Sequence, residues 1–162
     1  MEKSWSNTAL VAYTLLPKIA QELNFGIENR VKSSFQSKHL KMGVSTEQLI
    51  GEIIDLTEQR RKIVNLRFIV SKALEKMKTD SRAVLVDRVL KKKTFQQIAE
   101  EQKVSLRTVF RRVAVAEEEF AHNLSRCGYT ETWLEREYGQ DKYIAQIRNR
   151  IKDEKYFVAK NL

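Results

Sequence analysis

Punctuation is what this chain has least of. One proline, Pro17, and five glycines in 162 residues leave few places to turn or break, and long helices are the natural use of so unbroken a sequence. A single cysteine, Cys127, excludes an internal disulfide and fits a reducing cytoplasm, the expected location. The two histidines, His39 and His122, lie far apart, so a zinc site of the usual cysteine and histidine kind lacks its ligands. No apolar run approaches the roughly 20 residues that span a bilayer, and residues 1–7 lack the basic-then-apolar layout of a signal peptide. No membrane partner is expected. Glycine loops that cradle phosphates (G-x-x-x-x-G-K, G-x-G-x-x-G) and the nucleophile elbow G-x-S-x-G are missing too. The carboxylate pairs Glu52 with Asp55, Asp80 with Asp87, and Glu131 with Glu135 have loose spacing and nothing nearby to suggest a pocket, so they read as surface ion-pairing groups. The expectation is a protein that is not an enzyme and needs no cofactor.

What the chain does have is apolar content and positive charge. Hydrophobic residues make up 42% and charged residues 31%, enough for a buried core and too ordered a mixture for wholesale disorder. Thirty Lys and Arg against 21 Asp and Glu give a net charge of +9, which points to a polyanionic partner. The excess is local. Residues 79–116 carry nine basic and four acidic groups, +5, whereas residues 117–162 carry eight and nine, −1.

Apolar spacing predicts helices throughout. Leu10, Tyr13, Leu16, Ala20, Leu23, Ile27 and Val31 recur at steps of three and four, one face of an amphipathic helix that Pro17 should either begin or kink. Trp5, Tyr13, Phe25 and Phe35 read as core residues. Residues 33–44 look like a connection, after which Ser45 and Gln48 form a capping box. From 46 to 78, Leu49, Leu56, Ile63, Val70 and Met77 fall seven apart, but Arg60 and Arg67 interrupt the adjoining row. Packing within one bundle is therefore favoured over a zipper between two copies.

Residues 81–92 should form a helix with Val84, Leu85, Val89 and Leu90 inward. Thr94 and Gln97 make another capping box, Lys103-Val104 a two-residue turn, and Ser105 the cap of a following helix whose inward row is Val109, Val113, Ala116 and Phe120. Helix, tight turn, helix is the spacing of a helix-turn-helix. Ala99 would sit where the two helices cross, with Ile98, Val104 and Val109 filling the small core. That leaves Leu106, Arg107, Thr108, Phe110, Arg111 and Arg112 on or beside the exposed face. Arginines there suit guanine edges and flanking phosphates, and the free N–H groups behind Ser105 suit a phosphate. Lys92 and Lys93 could clamp phosphate ahead of the motif, and Gln96 could touch it. Glu117–Glu119 read as a solvated side. Gly128 should stop the helix, with Cys127 as a small apolar filler beside it. Trp133, Leu134, Tyr138, Tyr143, Ile144, Ile147 and Ile151 then form an apolar stripe over two further helices.

The segment QQIAEEQKVSLRTVFRRVAVA, within residues 81–124, resembles the promoter-reading C-terminal domain of bacterial sigma factors (region 4) and the related phage late-gene activators. Ile98, Ala99, Glu100, Val104, Ser105, Thr108, Val109, Arg112 and Val113 match that pattern, while Lys103 replaces its turn glycine and Gln102 its usual leucine. A left-handed conformation at Lys103 would cost about 1–2 kcal/mol. The lead-in from Thr46 is similar to that of sigma-like regulators from low-GC Gram-positive bacteria and their phages; a sigma region 2 is not recognisable. The resemblance implies an all-α bundle divided as residues 1–78, 79–126 and 127–162, with the helix-turn-helix in the middle part. It implies a transcription regulator on double-stranded DNA, with Arg107 and Arg111 toward bases and Ser105, Arg112, Lys92 and Lys93 on phosphates. RNA polymerase and a second copy of the chain stay open as further partners. The alternative from another class is a helical interaction module, an adaptor or anti-activator that keeps the fold without the DNA use.

Overall fold

The computed structural model describes residues 5–36 and 45–160, with side chains up to residues 35 and 151 in the two stretches. Among these residues every regular element is helical. They run α1 (Trp5–Gln36), α2 (Thr46–Glu75), α3 (Thr79–Leu85, widening into a π-helical turn over Val86–Leu90), α4 (Phe95–Gln102), α5 (Leu106–Arg126), α6 (Glu131–Tyr138) and α7 (Lys142–Lys160). No helix among the described residues is long and apolar enough to cross a membrane.

Most helix starts have a local chemical cause. Ser45, Thr94, Ser105 and Thr130 each accept a backbone N–H three residues on. Asp141 takes those of Tyr143 and Ile144 at 3.0 Å each. Such side chains satisfy donors that have no acceptor inside the helix. The expected box of Ser45 and Gln48 is complete, since the Ser45 N–H also donates to Gln48 Oε1 at 3.1 Å. Gly128, at φ 90°, ends α5 in a left-handed turn. Its N–H donates to Ser125 O and that of Tyr129 to Leu124 O, a Schellman pair.

The chain gathers into two compact units, one made of residues up to Thr14 with those from Phe68 onward, the other of Leu15–Arg67. Each long helix, α1 and α2, thus serves both. These units do not follow the three segments read from the sequence, because the first ten described residues go with the C-terminal helices. Trp5 is the reason. Its N–H donates to Glu131 Oε2 and its indole Nε1 to Glu135 Oε2, both at 2.6 Å. The Arg148 guanidinium lies 4.6 Å from the indole ring and donates to the same Glu135 oxygen at 2.9 Å. Leu134, Tyr138, Ile144 and Ile147 are buried in this unit, so much of the C-terminal stripe is core.

In the second unit Leu16, Leu23, Leu49, Ile63 and Leu66 are buried, and Arg30 pairs with Glu52 at 2.8 Å. The heptad row faces inward, with Leu49, Ile63 and Val70 of α2 and Met77 just past its end buried and Leu56 partly so. Ile50, Ile54 and Val64 are exposed instead.

Several expectations need correction. Phe25 and Phe35 are not core; they are 66% and 79% exposed, and Phe25 sits about 200° around the helix from buried Leu23. Residues 33–36 belong to α1 rather than to a connection, while 37–44 lie outside the described residues. Helix α1 runs through Pro17, which is on its exposed side. The predicted helix over 81–92 begins earlier, at Thr79, and gives way to the π turn, closed by Lys91 N–H to Val86 O at 3.0 Å. That wider turn shifts the phase of the residues after Leu85, leaving Val89 and Leu90 half-buried. Cys127 is half-buried and takes a hydrogen bond from Lys76 Nζ at 3.3 Å, so it is no core filler.

Candidate functional site

In the first unit α3 and α4 both pack on α5. Helix α4 starts in a full capping box, with Gln97 N–H to Thr94 Oγ1 at 3.1 Å and Thr94 N–H to Gln97 Oε1 at 2.9 Å. Ile98 and Ala99 are its buried side. It ends at Lys103, which takes the left-handed conformation (φ 52°, ψ 45°). The Lys103 N–H donates to Glu100 O at 3.3 Å and that of Val104 to Ala99 O at 3.1 Å, a Schellman pair built on a lysine. Two residues past the helix, Ser105 opens α5. Its hydroxyl accepts the Thr108 N–H at 3.2 Å and shares a 2.8 Å hydrogen bond with the Thr108 hydroxyl.

Val109, Val113, Ala116, Phe120 and Leu124 are the buried row of α5, each three or four residues from the last. The opposite side is thereby fixed. Arg107 and Arg111 are exposed there, and no described residue forms a hydrogen bond or ion pair with either. On one flank stand Leu106, 41% exposed, and Phe110, 50% exposed. Phe110 stacks on Phe95 of α4 with centroids 4.3 Å apart. Arg88 also lies against Phe95, with its guanidinium 4.4 Å from that ring and donating to Lys93 O at 2.9 Å. On the other flank an open groove of about 750 Å³ is lined by Asp80, Ser81, Gln102, Thr108, Arg111 and Arg112.

The remaining candidate residues are less free. Arg112 is exposed but donates to Gln102 Oε1 at 2.7 Å, and Gln96 donates to Glu100 at 3.2 Å. Thr108 is half-buried and belongs to the Ser105 cap. Lys93 lies between two carboxylates, 2.5 Å from Glu101 and 3.5 Å from Asp87. The Glu101 hydrogen bond holds the Lys93 ammonium above its ordinary pKa. Lys91, and then Lys93, hold Asp87 below the usual carboxylate range. Lys92 is exposed, with its backbone at φ 53°. No described residue engages the Lys92 ammonium, whereas that of Lys93 is already engaged by Asp87 and Glu101.

Three features had no reading in the sequence. The Arg88–Phe95–Phe110 stack joins three elements, and only the aromatic pair near the turn hinted at it. Glu119 is not a solvated bystander; its Oε1 accepts the Lys78 N–H at 2.7 Å at the start of α3. That bond, with one from Ser81, holds its carboxyl below the usual range. Lys78 provides no side-chain cap of its own, so the start of α3 is set from α5, 41 residues away. The Trp5 clamp was likewise beyond local reading.

Comparison with protein families, curated proteins and solved structures finds no match to this chain.

Proposed function

We propose that this chain is a sequence-specific DNA-binding transcription regulator of the sigma-region-4-like helix-turn-helix kind, with α5 entering the major groove. The observation that carries the reading is the state of Arg107 and Arg111. Both are exposed on the first two turns of a capped helix and unengaged among the described residues, while Arg88, Lys91, Lys93 and Arg112 nearby are all held by internal partners. A fork of five donors left free at this position matches the acceptors of guanine in the major groove. On this reading Ser105 and Lys92 are the flanking phosphate contacts, and the +5 of residues 79–116 supplies the attraction.

Selection of sites from a randomised duplex pool, with the full chain and with Arg107→Ala/Arg111→Ala, tests this. The expected result is an enriched motif that the variant loses, with Arg107→Ala alone costing about 1–3 kcal/mol at one base pair. A palindromic motif would add a dimer to the reading. Salt-sensitive binding without a motif would assign the missing contacts to RNA polymerase. Absence of binding by either protein would overturn the proposal. One observation favours the interaction-module reading: Leu106, Phe110 and Val115 are large apolar side chains left 41–51% exposed on α5. On that reading the double-arginine variant keeps its partner.

A further inference from the structure

Two of those side chains, Leu106 and Phe110, adjoin the two unengaged arginines. Leu106 is the first residue of α5 and Phe110 lies one turn later, so the two adjoin along the helix at a four-residue step. About 100° around the helix from them, at the same levels, are Arg107 and Arg111. An apolar pair on a helix end is normally covered by its own chain, yet here the covering stops half-way. Phe95 backs one face of Phe110, Arg88 backs Phe95, and the outward half of Phe110 stays open beside Leu106. The stack behind makes Phe110 a fixed surface rather than a loose one.

We infer that Leu106 and Phe110 form a subsite for the 5-methyl group of thymine, next to guanines read by Arg107 and Arg111. The inference rests on the proposed reading of α5 as a major-groove helix. Its chemistry is selective, because the thymine methyl is the one apolar group that the four standard bases present on the major-groove floor. Cationic side chains alongside commit the surface to a polyanion: an apolar protein partner would have to bury Arg107 and Arg111 unpaired, which is costly. Duplex DNA covers the apolar pair and pairs the arginines at once.

The experiment uses the duplex recovered by selection with the full chain, remade with deoxyuridine in place of each thymine in turn. This deletes only the methyl. At the positions facing Leu106 and Phe110, affinity should fall about fourfold per methyl removed, the factor for burying one such group. Leu106→Ala and Phe110→Leu, which leaves an apolar residue against Phe95, should bind the thymine and deoxyuridine duplexes more nearly alike at those positions. At those same positions a 5-methylcytosine pair should bind more tightly than a cytosine pair, since the methyl alone is restored. Equal affinity of the unaltered chain for the two duplexes at every position would overturn this inference and leave DNA reading intact. Failure to bind any duplex would overturn DNA reading itself, and the inference with it.

Discussion

Lys103→Gly should stabilise the protein. Lys103 is a non-glycine residue held at φ 52° and ψ 45° by the two hydrogen bonds that close α4, a conformation that costs an L-residue about 1–2 kcal/mol. Its side chain is exposed and no described residue bonds to it, so the substitution removes no hydrogen bond or ion pair among the described residues. Against the gain stands the extra freedom of glycine in the unfolded chain, about 0.5–1 kcal/mol. The difference is a net stabilisation of about 0.5–1 kcal/mol, or about 1–4 °C in Tm for a protein of this size. Both tryptophans, Trp5 and Trp133, fall in the compact unit that contains this turn. Thermal melts followed by tryptophan fluorescence therefore report on the right part of the molecule. Lys103→Ala is the control; it keeps the strain and should leave Tm unchanged or slightly lower. A Lys103→Gly melt at or below that of the unaltered chain would refute the argument, and so would an equal rise in Lys103→Ala.

Two further outcomes follow from the electrostatics. The Glu119 and Asp87 carboxyls are both held below their ordinary pKa, the first by the Lys78 N–H and the second by Lys91. Their contribution to stability is therefore complete above the unfolded values and is lost as pH falls through the lower folded ones. Denaturation midpoints should drop on acidification below about pH 4.5, and Glu119→Gln should flatten that drop; an unchanged profile in Glu119→Gln would exclude the bond to Lys78 as its source. If α5 binds DNA as proposed, Lys92→Ala should reduce the slope of log K against log salt by about 1. Lys93→Ala should reduce it less, since Asp87 and Glu101 already engage that ammonium, and equal reductions would count against that ordering.

What was legible in the sequence was what short-range chemistry decides. A cap is made within three residues, so Ser45, Thr94 and Ser105 announced their helices, and Gly128 announced its stop. The inward row Val109, Val113, Ala116 and Phe120 follows from helical period alone. Once that row is known, the exposure of Arg107 and Arg111 follows by subtraction. The illegible part is what distant residues impose on one another. Glu119 starts α3 from 41 residues away and Trp5 meets Glu135 across 130, separations at which spacing has no information. The π turn after Leu85 slipped the phase of Val89 and Leu90 for a reason that period counting does not register. Phe25 and Phe35 show the same limit, since apolar type alone did not decide which side of α1 was covered.

The Trp5 clamp has a consequence for synthesis. A ribosome releases α1 first, but the residues that receive its leading end, Glu131, Glu135 and Arg148, emerge more than 120 positions later. Until then an apolar helix start waits in solution with half its unit still unmade. A unit closed in this way cannot finish folding until residues 131–148 have been made. The nascent chain would gain from slow exposure or a transient escort, and Arg148, in the second turn of α7, completes the site that Trp5 occupies.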